Sequence, residues 1–137
     1  MDRISFDEYF KEIVTVASKR SSCQRLKVGA VVVSLDNRII SMGYNGTLPN
    51  FPNDLSIIRD GHEQATIHAE VNALLDCARR GASCENSILY TTHFPCINCF
   101  KSLAIAGVKH VKYINDYNND ELVYKFAEMA NIRLEKV

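Results

Sequence analysis

The sequence predicts an α/β fold, a mixed five-stranded sheet held between helices in a three-layer α/β/α arrangement. Three observations predict it. Apolar residues recur at helical spacing in separate stretches of the chain. Short runs rich in β-branched residues lie between those stretches. The two kinds follow one another as α-β-β-α-β-α-β-α-β, an order that buries a sheet under helices on both faces. At 137 residues the chain can bury one core but not two, so a single domain over 1–137 is expected.

Phe6, Tyr9, Phe10, Ile13, Val14 and Ala17 give an amphipathic first helix ending near Lys19. Val28 to Leu35 is an almost unbroken apolar run and reads as a buried strand. Asp36-Asn37 marks a turn, and Arg38 to Met42 reads as the antiparallel partner. From Gly43 to Ala65 the chain has little periodicity, and a loop that long in a small domain usually serves a site. Ile67, Val71, Leu74, Leu75 and Ala78 form a second helical stripe that stops near Gly81. Ile88 to Thr92 is a strand, Pro95 to Ala106 a helix with Pro95 in its first turn, and Val108 to Ile114 a further strand. Leu122, Phe126, Met129 and Ala130 mark a last helix, followed by an edge strand over Ile132 to Leu134.

Hydrophobic residues make up 47% and charged residues 23%, the balance of a soluble globular protein. No apolar run is long enough to span a bilayer, and residues 1–11 lack the layout of a signal peptide, so a cytoplasmic protein is expected. Five cysteines, an odd number, argue against a fully paired disulfide framework. Sixteen basic residues balance sixteen acidic ones, which leaves no electrostatic footprint for a long nucleic acid and favours a small metabolite as partner.

The chemistry lies in two blocks, His68-Ala69-Glu70 and Pro95-Cys96-Ile97-Asn98-Cys99. His68, Cys96 and Cys99 supply one imidazole and two thiolates, which leaves a tetrahedral zinc with one open position, as catalytic sites have. Glu70 is too close to His68 in sequence to ligate in the same geometry and is free to move protons for a water at that position. Helix N-termini favour thiolate over thiol, and both blocks fall at predicted helix starts. Alternative readings remain at this level. The Cys-x-x-Cys could be a thioredoxin-like redox pair, or Cys84 or His93 could close a structural zinc site. Cys23 and Cys77 read as packing residues.

Together these blocks resemble the cytidine and deoxycytidylate deaminase superfamily. The resemblance runs from the first helix to Tyr117. Ser21-Ser22-Cys23-Gln24-Arg25 leading into Val28-Gly29-Ala30-Val31, together with Gly43-Tyr44-Asn45-Gly46, narrows it to the deoxycytidylate branch. The resemblance implies hydrolytic deamination of dCMP to dUMP and ammonia, with one catalytic Zn2+ per subunit. It implies that Asn45 contacts the deoxyribose, that the Ala69 N–H holds the pyrimidine carbonyl, and that Phe94 borders the base. It sets Arg25, His62 and Tyr117 near the phosphate. It further implies a homohexamer regulated by dCTP and dTTP, with Gly43, Tyr44 and Gly46 as candidate effector contacts. Asn118 stands where some relatives have arginine, and the loop 47–61 lacks the cysteine of relatives with a second zinc. Related readings with the same chemistry take dCTP or deoxycytidine. More distant ones are a polynucleotide-editing deaminase or a non-catalytic zinc protein that binds nucleotides.

Overall fold

Most ends of the four helices fall where the sequence supplies a cap, in a computed structural model that describes residues 2–137. Helix α1 (Phe6–Ser18) opens on Ser5, whose hydroxyl accepts the Glu8 N–H at 3.1 Å. Helix α2 (Ala69–Arg80) ends at Gly81, which has a φ of 71°. Helix α3 (Ile97–Ala106) begins after Cys96 and ends at Gly107, φ 100°. Helix α4 (Glu121–Ala130) is capped by Asp120, which accepts the Leu122 N–H at 2.9 Å, and closes at Asn131.

The strands are β1 (Gly29–Val33), β2 (Ile39–Tyr44), β3 (Gly46–Thr47), β4 (Ile58–Arg59), β5 (His62–Glu63), β6 (Thr66–Ile67), β7 (Ser87–His93), β8 (Val108–Asn115) and β9 (Arg133–Lys136). Five of them form the main sheet in the order β2-β1-β7-β8-β9. β1 is antiparallel to both its neighbours, whereas β7, β8 and β9 are parallel. The sheet is therefore mixed, as expected. Helices α3 and α4 supply the crossovers that parallel strands require.

Alternation along β1 divides the core. Val31 and Val33 point one way with Tyr90, onto Phe10 and Val14 of α1. Ala30 and Val32 point the other way with Leu89 and Val111, under α2, α3 and α4. Burying each such side chain contributes about 1.5–3 kcal/mol. The layers are thus unequal, with one helix on one face and three on the other. Among the described residues no helix is long and apolar enough to cross a membrane.

The structure moves several predicted boundaries. β1 stops at Val33, not Leu35, because the Ser34 N–H turns back to the Arg38 carbonyl at 2.8 Å. The last strand begins at Arg133 and runs to Lys136. Pro95 lies before the Cys96 cap and not inside the first turn. The stretch 43–65, expected as loop, contains the end of β2 and two-residue ladders, β3 with β6 and β4 with β5. Pairings that short have no periodicity to read.

Two glycines let backbones approach more closely than any side chain allows. A Cβ on Gly29 would sit 2.3 Å from the Val14 carbonyl of α1. One on Gly43 would sit 2.6 Å from both the Ala69 carbonyl and the Ala73 nitrogen. The second contact seats the start of α2 directly on β2, which positions the residues described next.

Candidate active site

His68 and Cys96 are the capping residues of α2 and α3, two helices that pack together on the same face of the sheet. His68 makes no side-chain cap bond, so its ring is free to turn toward the second helix. Its Nδ1 lies 3.2 Å from Cys99 Sγ and 3.6 Å from Cys96 Sγ. Cys96 Sγ accepts the Cys99 N–H at 3.4 Å, a contact that favours the thiolate. All three donor atoms lie within 4.8 Å of one another.

This donor set fits zinc. Zinc–sulfur and zinc–nitrogen bonds give a tetrahedral N–S edge of about 3.6 Å, close to both separations here. The cluster has three protein donors among the described residues; Glu70, Cys84 and His93 are not in it. Cys84 is instead buried beside Cys77 in the core under α2. The three donors suit one zinc ion per subunit with a corner left for a water.

Electrostatics in the cluster follow from hydrogen bonding and burial. Hydrogen bonding from Cys99 brings the Cys96 thiol down to about 4, against opposing burial, with His68 adding to the effect. The same contact pushes Cys99 up, and burial reinforces it. Hydrogen bonding to Cys96 raises His68 above its ordinary value, although burial opposes this. The cluster therefore holds protons that an incoming metal must release. Glu70 is the second residue of α2 and 5% exposed. Burial pushes its carboxyl up to about 6, in the range suited to proton exchange near neutrality.

Around this centre the sequence-predicted residues divide. Ala69 is the first residue of α2, so its N–H has no partner in the helical ladder. Asn45 is buried at the end of β2. Its Oδ1 accepts the Ser21 hydroxyl at 2.6 Å and the Val28 N–H at 2.8 Å, and its Nδ2 donates to the Leu26 carbonyl at 2.7 Å. One Nδ2 proton remains for a ligand. Arg25 Nη2 donates to the Tyr117 hydroxyl at 3.3 Å, joining two residues 92 positions apart. His62 does not join them; it is exposed on β5, paired with Arg59 of β4.

Phe94 is 3% exposed, with its ring packed against Tyr113 and Tyr124. Its neighbour His93 is half-buried, and its ring and that of Tyr117 form a T-shaped pair with centroids 6.0 Å apart. The sequence reading considered His93 only as a zinc ligand, and β-strand alternation is the signal that separates it from Phe94. Gly43 and Gly46 lie against α2 and Ser22, while Tyr44 lies under the Arg20 guanidinium and accepts the Asn72 amide through its carbonyl. These contacts give the block a packing role.

The sequence profile of the cytidine and deoxycytidylate deaminase zinc-binding region matches residues 4–115. ComE operon protein 2 of Bacillus subtilis is 39% identical over 140 residues, covering all of this chain and 74% of that protein. The deoxycytidylate deaminase of Schizosaccharomyces pombe is 36% identical over 98% of this chain, which spans 44% of the yeast protein. Among solved structures, the dCMP deaminase of cyanophage S-TIM5 in complex with dCMP and dUMP superposes with a TM-score of 0.86 at 34% identity, each chain covered completely.

Proposed function

The chain belongs to the cytidine and deoxycytidylate deaminase family, and from that premise we propose that it hydrolyses dCMP to dUMP and ammonia. The observation that carries this reading is the three-donor cluster on two helix starts, with the buried Glu70 carboxyl beside it. The phage relative, solved with dCMP and dUMP, supports the choice of nucleotide.

His68, Cys96 and Cys99 would hold the zinc, which when bound would supply a Lewis acid that makes water nucleophilic near neutral pH. Glu70 would take a proton from the attacking water and pass it to N3 of the cytosine ring as the oxygen adds at C4. It would then take the proton of the new C4 hydroxyl and give it to the 4-amino group, a poor leaving group until protonated, so that the C4–N bond breaks and ammonia leaves. Such acid–base help is worth about 10²–10⁴-fold. The Ala69 N–H holds the ring carbonyl, the free Asn45 Nδ2 proton meets the deoxyribose, and Arg25 with Tyr117 receives the phosphate. A guanidinium fork matches phosphate oxygens, and here the Tyr117 hydroxyl steadies it.

Ammonia release from deoxycytidine, dCMP and dCTP tests the reading directly. Fastest turnover per micromolar substrate with dCMP is expected; a preference for dCTP or deoxycytidine would move the substrate and keep the chemistry. Repeating the assay with dCTP and dTTP, and sedimenting the protein, tests the expected effector response and hexamer.

A further inference from the structure

His93 is more tightly constrained than any sequence pattern suggests. Its backbone N–H donates to Thr91 Oγ1 at 3.3 Å, and the Thr91 hydroxyl donates to the His93 carbonyl at 3.0 Å. Its ring Nδ1 lies 2.8 Å from Thr92 Oγ1. Thr92 is 4% exposed, and its hydroxyl already accepts the Gly29 N–H at 3.1 Å. The Thr92 hydroxyl satisfies both contacts when it accepts from Gly29 and donates to Nδ1, the arrangement that puts the ring proton of a neutral imidazole on Nε2. Burial favours that neutral form.

The ring faces a particular neighbour. It stands nearly perpendicular to the Tyr117 ring, at an interplanar angle of 79°, and Tyr117 in turn accepts from Arg25. Because Tyr117 uses its oxygen as acceptor, its own hydroxyl proton is left to donate. Asp116, the acid beside Tyr117 in sequence, is occupied by Lys136 at 2.7 Å and by Asn119 at 2.9 Å. Arg25, Tyr117 and the His93 ring are thus successive neighbours, and a terminal phosphate presents three oxygens.

We propose that His93 is a specificity-determining residue whose Nε2–H donates to the phosphate of the nucleotide, beside Arg25 and Tyr117. The assignment rests on the dCMP reading for the identity of the ligand. It adds a residue to that site and assigns the tautomer it uses. The buried pair Gly29 and Thr92 are positioning residues that hold Nδ1 as the acceptor.

Two conservative variants separate the ring's two ends. His93→Gln places an amide N–H near the position of Nε2, whereas His93→Asn reaches only as far as Nδ1. With zinc-loaded protein, calorimetric Kd values for dUMP and for deoxyuridine are compared across wild type and both variants, with zinc content and thermal midpoint as controls. Expected is dUMP binding within about threefold of wild type for His93→Gln and at least tenfold weaker for His93→Asn, with deoxyuridine unchanged throughout. Nitrogen-15 spectra of wild type should show a protonated Nε2 and an unprotonated Nδ1. Equal dUMP binding by wild type and His93→Asn overturns the proposal, as does a loss that falls equally on deoxyuridine. If wild type fails to deaminate dCMP yet His93→Asn still loses dUMP selectively, the reaction assignment fails and the His93 contact stands.

Discussion

Asn45 Oδ1 accepts the Ser21 hydroxyl at 2.6 Å, which ties the end of β2 to the segment that carries Arg25. The same carboxamide also holds Leu26 and Val28, so one buried side chain fixes both flanks of that segment. Asn45→Ala should cost about 1–3 kcal/mol of stability, since it strands a backbone donor and an acceptor out of water. Ser21→Ala should cost less and raise the KM for dCMP while leaving kcat nearly unchanged. Denaturant titration and dCMP kinetics on the two variants check both outcomes.

Glu70→Gln should bind zinc as wild type does and lose about 10²–10⁴-fold in turnover, because the amide cannot carry a proton. Cys99→Ser should lose metal and turnover together. Zinc content by mass spectrometry, measured alongside ammonia release, separates the two cases. A Glu70→Gln protein with full activity would remove the assigned proton carrier.

A methyl group at position 43 has nowhere to go. Gly43→Ala would set a Cβ 2.6 Å from the Ala69 carbonyl, and α2 must move to admit it. The expected cost is about 1–3 kcal/mol. Zinc affinity should fall as well, since His68 caps the displaced helix. Competition with a chromogenic chelator measures that loss.

Chelation should destabilise the fold. Ligand present at about 1,000 times its Kd contributes about 4.1 kcal/mol to the bound state. Stripping zinc should therefore lower Tm by many degrees and abolish activity, and added zinc should restore both. An unchanged melting curve after verified metal removal would contradict this.

Acid sensitivity should appear at Asp7. Partial burial alone would raise its carboxyl, but hydrogen bonds from Lys112 at 2.8 Å and Tyr90 at 2.5 Å outweigh it and hold the group below the ordinary range. A folded value below the unfolded one stabilises the protein above about pH 4, and the gain disappears as pH falls through the folded value. Asp7→Asn should cost about 0.5–1 kcal/mol at pH 7, the contribution of a partly exposed pair. Urea titrations of both proteins from pH 7 to pH 3 should show the gap closing at the acid end.

The donors His68, Cys96 and Cys99 were legible in the sequence because each block has a characteristic short spacing at a helix start, although only the fold brings the two blocks together. The main strands and helices were legible through periodicity and their glycine and asparagine stops, such as Gly81 and Asn131. The rim residues came only from the family resemblance and not from local pattern. Arg25 meets Tyr117 only after the sheet has formed, and no local pattern records a contact over that separation. Which of His93 and Phe94 turns toward Tyr117 depends on the register of β7 against β8, where His93 pairs with Asn115. His62, which the resemblance sets near the phosphate, lies exposed on the two-residue ladder of β4 and β5.

The donor atoms come from two helices with an entire strand threaded between them. No fragment ending before Cys99 can assemble the full grip, however well α2 folds alone. Full-strength metal binding therefore reports that α3 has docked on α2, and not merely that α2 has folded.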